Sequence, residues 1–172
     1  MKIKAVFPGS FDPITNGHVD IVMRGIEIFD EILIAILENP EKTSLFSIEE
    51  RISMIKEIFR EESKIKVESF SGLLVEFMKK KEIKIVIRGL RAVSDFEYEL
   101  QMALMNRKLD PEVETFFMVP NVKYSFLSSR LIKEIFYYGG CVNELVPEIV
   151  EEKMKEKYKV SKEKFIDIQR EY

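Results

Sequence analysis

The sequence predicts an α/β protein of Rossmann-like design, with a five-stranded parallel sheet covered by helices on both faces. Three observations carry this reading. Apolar, β-branched runs alternate with segments of helical period along most of the chain. A loop rich in Pro and Gly follows the first of those runs. No shift in composition marks a second folding unit. Alternation of this kind buries parallel strands between helices. Ligands then bind beyond the carboxyl ends of the strands, so the loops that follow strands are where chemistry is sought.

The first strand runs from Ile3 to Phe7 and feeds the Pro/Gly loop. A helix follows over about Gly17 to Phe29, with Val19, Val22, Ile26 and Phe29 on one face. Ile32 to Leu37 is a second, buried strand, and Asn39 to Phe46 a loop. Ser47 and Glu50 have the S-x-x-E spacing of a capping box and open a helix that runs to about Arg60. Strand–helix–strand recurs as Ile65 to Phe70, Leu73 to Lys81 and Lys84 to Arg88. A helix from Ser94 to Leu109, a fifth strand from Val113 to Val119 and a helix from Ser128 to Tyr138 follow. From Glu148 onward more than half of the residues are charged with mixed sign, which reads as a solvated helix ending in a frayed tail. The whole of 1–172 is expected to form one domain, with about 159–172 a charged C-terminal extension of unassigned role.

Composition narrows the function classes. Hydrophobic residues make up 46% and charged residues 33% of 172 residues, a globular balance. The longest clean apolar run, Ile32 to Leu37, is far short of the roughly 20 residues needed to cross a bilayer. The N-terminal apolar stretch stops at Pro8-Gly9 and offers no signal-peptide core, so neither a membrane nor export is expected. Cys141 is the only cysteine, which rules out an internal disulfide and suits a reducing cytoplasm. The net charge of −3 argues against a nucleic-acid partner. Anionic substrates must then be drawn by a local cluster of cations.

The first loop reads Phe7-Pro8-Gly9-Ser10-Phe11-Asp12-Pro13-Ile14-Thr15-Asn16-Gly17-His18. No G-x-G-x-x-G occurs in the chain, so this is not the dinucleotide fingerprint. Gly9 lets the backbone approach a phosphate closely and Ser10 adds a hydroxyl. Thr15 or Asn16 caps the following helix, which puts His18 in its first turn, where free N–H groups and the dipole attract anions. The same dipole disfavours imidazolium, so His18, the only histidine, is expected to act as an uncharged donor until anions arrive. Lys42, Arg88 and Arg91 stand in loops near strand ends, and the two arginines flank Gly89 at the end of an apolar strand. Their forked guanidinium groups suit phosphate oxygens, whereas Lys42 offers a point charge.

These residues occur in three ordered motifs, each after a strand: PGSFDPITNGH with its T-x-G-H, Ile87-Arg88-Gly89-Leu90-Arg91 leading into Asp95-Phe96-Glu97-Tyr98-Glu99, and Tyr124-Ser125-Phe126-Leu127-Ser128-Ser129-Arg130. The set, over about residues 1 to 158, resembles the bacterial phosphopantetheine adenylyltransferases of the nucleotidylyltransferase superfamily. The resemblance implies transfer of AMP from ATP to 4′-phosphopantetheine, giving dephospho-coenzyme A and pyrophosphate. It implies that His18 stabilises the pentavalent transition state and contacts ATP, with Lys42 and Arg88 sharing in catalysis. It assigns Ser10, Lys42, Leu74 and Arg88 to phosphopantetheine. ATP would be held by Ser10, Phe11, His18, Gly89, Leu90, Arg91, Glu99, Tyr124, Ser125, Phe126, Leu127, Ser128, Ser129 and Arg130. A homohexamer and feedback inhibition by coenzyme A are further implications.

The reaction needs no general base, because the attacking phosphate is already ionised at neutral pH; in-line positioning and charge stabilisation remain. Mg²⁺ is expected on the ATP phosphates. No carboxylate cluster suggests a metal cage built by the protein; Asp12 and Glu99 could touch the ion, but one held mainly by phosphates and water fits better, and no residue is assigned as a metal ligand. The chain departs from the usual family pattern at Ser10 (often Thr), Tyr124 (often Trp) and Arg130 (often a third serine). Two rival readings remain: a related nucleotidylyltransferase with another phosphorylated acceptor, such as glycerol 3-phosphate or nicotinamide mononucleotide, and a nucleotide-binding module without catalysis. A fragment of a class I aminoacyl-tRNA synthetase core is disfavoured by the short length and the acidic balance.

Overall fold

The computed structural model describes residues 2–39, 43–91 and 93–170, the side-chain surroundings of 93–95 and 160–170 excepted. Five parallel strands form one sheet: β1 (Lys4–Gly9), β2 (Glu31–Leu37), β3 (Ile65–Phe70), β4 (Ile85–Gly89) and β5 (Glu114–Met118). Their order is β3-β2-β1-β4-β5. The chain therefore builds outward from β1 on one side, then crosses over and builds outward on the other. β1 pairs with β2 from Lys4 opposite Glu31 to Gly9 opposite Ile36, and with β4 at Ala5–Ile85 and Val6–Val86. Between the ends of β1 and β4 the connections diverge to opposite sides, leaving the crevice that α/β sheets use for ligands.

Alternation along the central strands divides the core into two layers. Ala5, Phe7, Ile32, Ile34, Ile36 and Ile87 face one layer, which is completed by α1 (Asn16–Gly25), α2 (Ile48–Ile58), α5 (Ser129–Tyr137) and α6 (Glu148–Arg170). Val6, Leu33, Ala35 and Val86 face the other, under α3 (Leu74–Lys81). The two-sided covering expected from the sequence is therefore present. α4 (Val93–Leu109) lies beside α3 and β5.

Most elements fall where the sequence puts them, and the capping box at Ser47 forms in both directions. Two differences have physical causes. α1 ends at Gly25 rather than near Phe29, because Ile28 and Phe29 both donate to the Gly25 carbonyl in a turn that brings the chain back to β2. Ile26 and Phe29 remain buried, which is why their spacing looked helical. Beyond β5, Val122–Tyr124 forms a short 3-10 helix capped by Asn121, whose side-chain oxygen accepts from the Lys123 amide.

The segment after α5 returns to the start of α1. Asn16 donates its backbone N–H to Leu145 (2.9 Å) and its side-chain amide to Glu144 (2.7 Å), and Glu144 itself adopts φ +63°. Val142, Val146, Val150 and Met154 then fill the first core layer. Lys157 reaches Glu50 at 2.7 Å and the Tyr158 hydroxyl donates to the Lys133 carbonyl at 3.2 Å, fixing α6 across α2 and α5.

Candidate active site

At the crevice between β1 and β4 lies a cavity of about 290 Å³. It is walled by the end of β1 and its loop, the first turn of α1, the end of β4, and the segment from Pro120 to Ser129.

The β1–α1 loop is bent by Phe11, which adopts φ +46°, a left-handed conformation that costs a non-glycine residue about 1–3 kcal/mol. Packing offsets that cost: Phe11 is buried, its ring meeting Phe7 edge-on at 5.4 Å and His18 at 5.2 Å. Gly9 is needed for the same reason, since a Cβ there would lie 3.0 Å from Cε2 and Cζ of Phe11. The close neighbour that Gly9 admits within the protein is thus an aromatic ring, where the sequence suggested a phosphate.

Asp12 holds the loop from outside the cavity. Its buried carboxylate accepts from the amides of Leu45 (3.0 Å) and Phe46 (2.9 Å) and from Nζ of Lys133 (2.8 Å). Arg51, also buried, donates to the Ser10 carbonyl at 2.8 Å and to that of Ser47 at 3.2 Å. The β1–α1 loop is thereby tied to α2 and α5.

Thr15 caps α1. Its backbone N–H donates to Nδ1 of His18 at 3.0 Å, and its Oγ lies 2.9 Å from the same nitrogen. A backbone amide can only donate, so Nδ1 carries the lone pair and the proton of the neutral ring is on Nε2. His18 lines the cavity. Burial, followed by the charges of Arg91 and Arg88, lowers the His18 pKa from 6.5 to about 4. The neutral ring expected from the helix dipole is therefore favoured chiefly by desolvation.

Arg88 is held in a bidentate pair with Glu99 on α4, Nε–Oε2 2.5 Å and Nη2–Oε1 2.6 Å, and Nη1 donates to the Pro8 carbonyl at 2.9 Å. Each of its three nitrogens is engaged, yet Nη1 and Nη2 each keep a second hydrogen for a ligand. Glu99 thus orients an arginine, and its lining position leaves ribose contact open. Arg91 donates from Nη1 to the Leu127 carbonyl at 2.8 Å. Both serines at the start of α5 are occupied: Ser128 Oγ accepts from the Leu131 amide (3.0 Å), and Ser129 Oγ donates to the Pro13 carbonyl (2.7 Å). An anion there would meet the free N–H groups of the first helical turn before these hydroxyls.

Of the residues assigned from the sequence, Ser10, Phe11, His18, Arg88, Gly89, Arg91, Glu99, Tyr124, Leu127, Ser128 and Ser129 line the cavity. Five others do not. Leu74 packs half-buried against the second core layer. The Leu90 amide donates to the Met118 carbonyl (3.0 Å), Ser125 Oγ bonds the Val122 carbonyl (2.9 Å), and Phe126 and Arg130 are exposed. Lys42 lies outside the described residues. Sequence reasoning missed Arg51 and Lys133, because an isolated Arg or Lys in a helix carries no local signal, and it missed Ile21 and Pro120 of the wall.

Among the described residues no group of three or more His, Cys, Asp or Glu side chains is arranged to hold a metal. Asp12 and Glu99 are both engaged by cations of the protein. Nor is any helix among those residues long and apolar enough to cross a membrane.

A parallel sheet with a T-x-G-H turn at its switch point, two arginines in the wall and no cysteine among the described wall residues describes a nucleotidylyltransferase. The Cytidylyltransferase-like family model matches residues 6–135, and the structure shares its fold with a bifunctional NMN adenylyltransferase/ADP ribose pyrophosphatase from Francisella tularensis (TM-score 0.66, 16% identity, covering 85% of this chain and 45% of that one). The phosphopantetheine adenylyltransferase of Dictyoglomus turgidum is 57% identical over 92% of this chain and 99% of its own length. That of Caldanaerobacter subterraneus subsp. tengcongensis is 54% identical over 91% and 98%. The chain belongs to the phosphopantetheine adenylyltransferase family.

Proposed function

We propose that the protein transfers AMP from ATP to 4′-phosphopantetheine. A phosphate oxygen of phosphopantetheine attacks the α-phosphorus of ATP, the bond from that phosphorus to the bridging oxygen of the β-phosphate breaks, and dephospho-coenzyme A and pyrophosphate leave. Family membership supports the substrate pair. The observation that carries the mechanism is the His18 ring, fixed through Nδ1 so that a neutral Nε2–H is left beside two arginines. A donor held in advance stabilises charge growing on the α-phosphate without having to reorganise. Arg88 and Arg91 offset the repulsion between the two anionic substrates, and Lys42 is assigned to the phosphate of phosphopantetheine. Ser10 and Leu74 complete our assignment for that substrate. ATP is assigned to the walls at Phe11, Gly89 to Arg91, Glu99 and 124–130.

Mg²⁺ bound on the triphosphate would supply charge screening for the ATP phosphates and for pyrophosphate. With Asp12 and Glu99 engaged, the described residues fit an ion held by phosphates and water, and no step is assigned to a metal ligand of the protein. We place the enzyme in the cytoplasm, in coenzyme A synthesis, with coenzyme A as a competing inhibitor. A homohexamer is proposed from the family resemblance. It is supported by α4 and β5, where Leu104, Met105, Leu109 and Phe116 are exposed and available for burial between copies.

The test is pyrophosphate release from Mg-ATP with and without 4′-phosphopantetheine. Release that requires phosphopantetheine, with dephospho-coenzyme A as product, is expected. Intact ATP binding without release would transfer the site to another phosphorylated acceptor.

A further inference from the structure

We infer that Asp20, with Arg24, is a positioning residue for the nucleotide: the pair fixes the β5–α5 segment at a set distance from the helix that bears His18. The inference rests on ATP being held between that segment and α1.

From Val119 to Ser128 the chain contains only one short 3-10 helix, yet Pro120, Tyr124, Leu127 and Ser128 all wall the cavity. Segments without regular pairing need other anchors to keep one geometry. Toward the α5 end the anchors are inside the site: Arg91 to the Leu127 carbonyl, and Ser129 to the Pro13 carbonyl. At the β5 end they come from α1. Oδ2 of Asp20 accepts the Asn121 N–H at 2.9 Å and the Arg24 Nη1 at 3.3 Å, and that same Nη1 donates to the Val119 carbonyl at 2.8 Å. One carboxylate and one guanidinium thus grip the residues on either side of Pro120.

Neither side chain borders the cavity, so neither is placed to touch a substrate. Asp20 is largely buried, with 16% of its side chain exposed, whereas Arg24 is 52% exposed. The bond from Asp20 to the Asn121 amide is charge-assisted and partly shielded, the kind whose loss is felt. Asp20 lies just past the first turn, which holds His18, so α1 carries the reacting donor at its start and grips the nucleotide wall within the next two turns.

The full chain would be compared with Asp20→Ala, Asp20→Asn and Arg24→Met. Measured quantities are KM for each substrate, kcat, ATP affinity by direct titration without acceptor, and the melting temperature. Asp20→Ala is expected to weaken ATP binding and raise its KM about fivefold to thirtyfold, leaving KM for phosphopantetheine unchanged. Asp20→Asn keeps an acceptor for the Asn121 amide and should recover most of that loss. Arg24→Met, at an exposed position that does not threaten folding, should raise KM for ATP by a smaller factor. Unchanged ATP affinity in both Asp20→Ala and Arg24→Met would overturn the inference. So would equal rises in both KM values with a lower melting temperature, or an Asp20→Asn variant as impaired as Asp20→Ala. Because the titration needs no acceptor, it reads the latch even if phosphopantetheine proved to be the wrong substrate.

Discussion

Replacing His18 by alanine removes one donor from a ring that the structure holds ready. Nδ1 is fixed by the Thr15 amide at 3.0 Å and the ring packs edge-on against Phe11 at 5.2 Å, so under the proposed mechanism Nε2–H would meet the α-phosphate without reorganising. Deleting a donor of this kind costs about 100-fold to 1000-fold in kcat, or about 2.7–4 kcal/mol. ATP affinity should change by less than about fivefold, the size of one ordinary hydrogen bond, because the arginines and helix N-termini remain. Single-turnover quench measurements read the chemical step, and direct titration reads binding. A loss below tenfold, or a collapse of ATP binding with an unchanged chemical step, would refute the assigned role. The protonation state is open to a separate check, since a single histidine gives a single imidazole titration by NMR. The free protein should show its midpoint near pH 4 instead of 6.5. A midpoint near 6.5 would mean that the ring is neither desolvated nor influenced by Arg91 and Arg88. The sign for stability follows: between about pH 4 and 6.5 the unfolded chain binds the extra proton. The contribution of His18 is therefore fully present above 6.5 and lost as pH falls through 4, and the difference in melting temperature between wild type and His18→Asn should narrow over that window.

Other perturbations separate the roles further. Glu99→Ala leaves Arg88 with only the Pro8 carbonyl of its three bonds, and kcat/KM should fall about tenfold to a hundredfold through lost orientation of the guanidinium; steady-state kinetics showing less than a threefold change would make the pair ornamental. Asp12→Ala strips the acceptor from the Leu45 and Phe46 amides and the counter-charge from Lys133, so urea unfolding should show a loss of about 3 kcal/mol. A loss under 1 kcal/mol there would mean that water replaces the carboxylate. Lys42→Ala should raise KM for phosphopantetheine and slow turnover, and wild-type kinetics would reduce Lys42 to a surface charge.

The fold was legible because hydrophobic patterning and turn chemistry agree along most of the chain. β3 lies at Ile65–Phe70, the span given by its apolar run, and the Ser47–Glu50 box closes as its spacing requires. Legibility failed where tertiary contacts override local pattern. Ile26 and Phe29 have helical spacing but are buried by a turn. At the site, His18 and the arginines stood out because each follows a strand end and has a motif around it. Arg51 and Lys133 did not, because what makes them matter is an acceptor on a distant segment: the Ser10 carbonyl for one, the Asp12 carboxylate for the other. Ser128 and Ser129 were legible as residues of the cavity wall, but the internal bonds of their hydroxyls were not.

The grip of Glu144 and Leu145 on Asn16 joins positions 128 and 129 residues apart, and Asn16 opens the turn that ends in His18. During synthesis the turn that bears His18 emerges well before its seal and the core-filling Val146, Val150 and Met154. A nascent chain therefore carries His18 long before it carries the backbone that steadies its turn, and that frame closes only after α5 has been made. A fragment stopped after α5 would hold every residue that lines the cavity and yet lack the last piece of its frame.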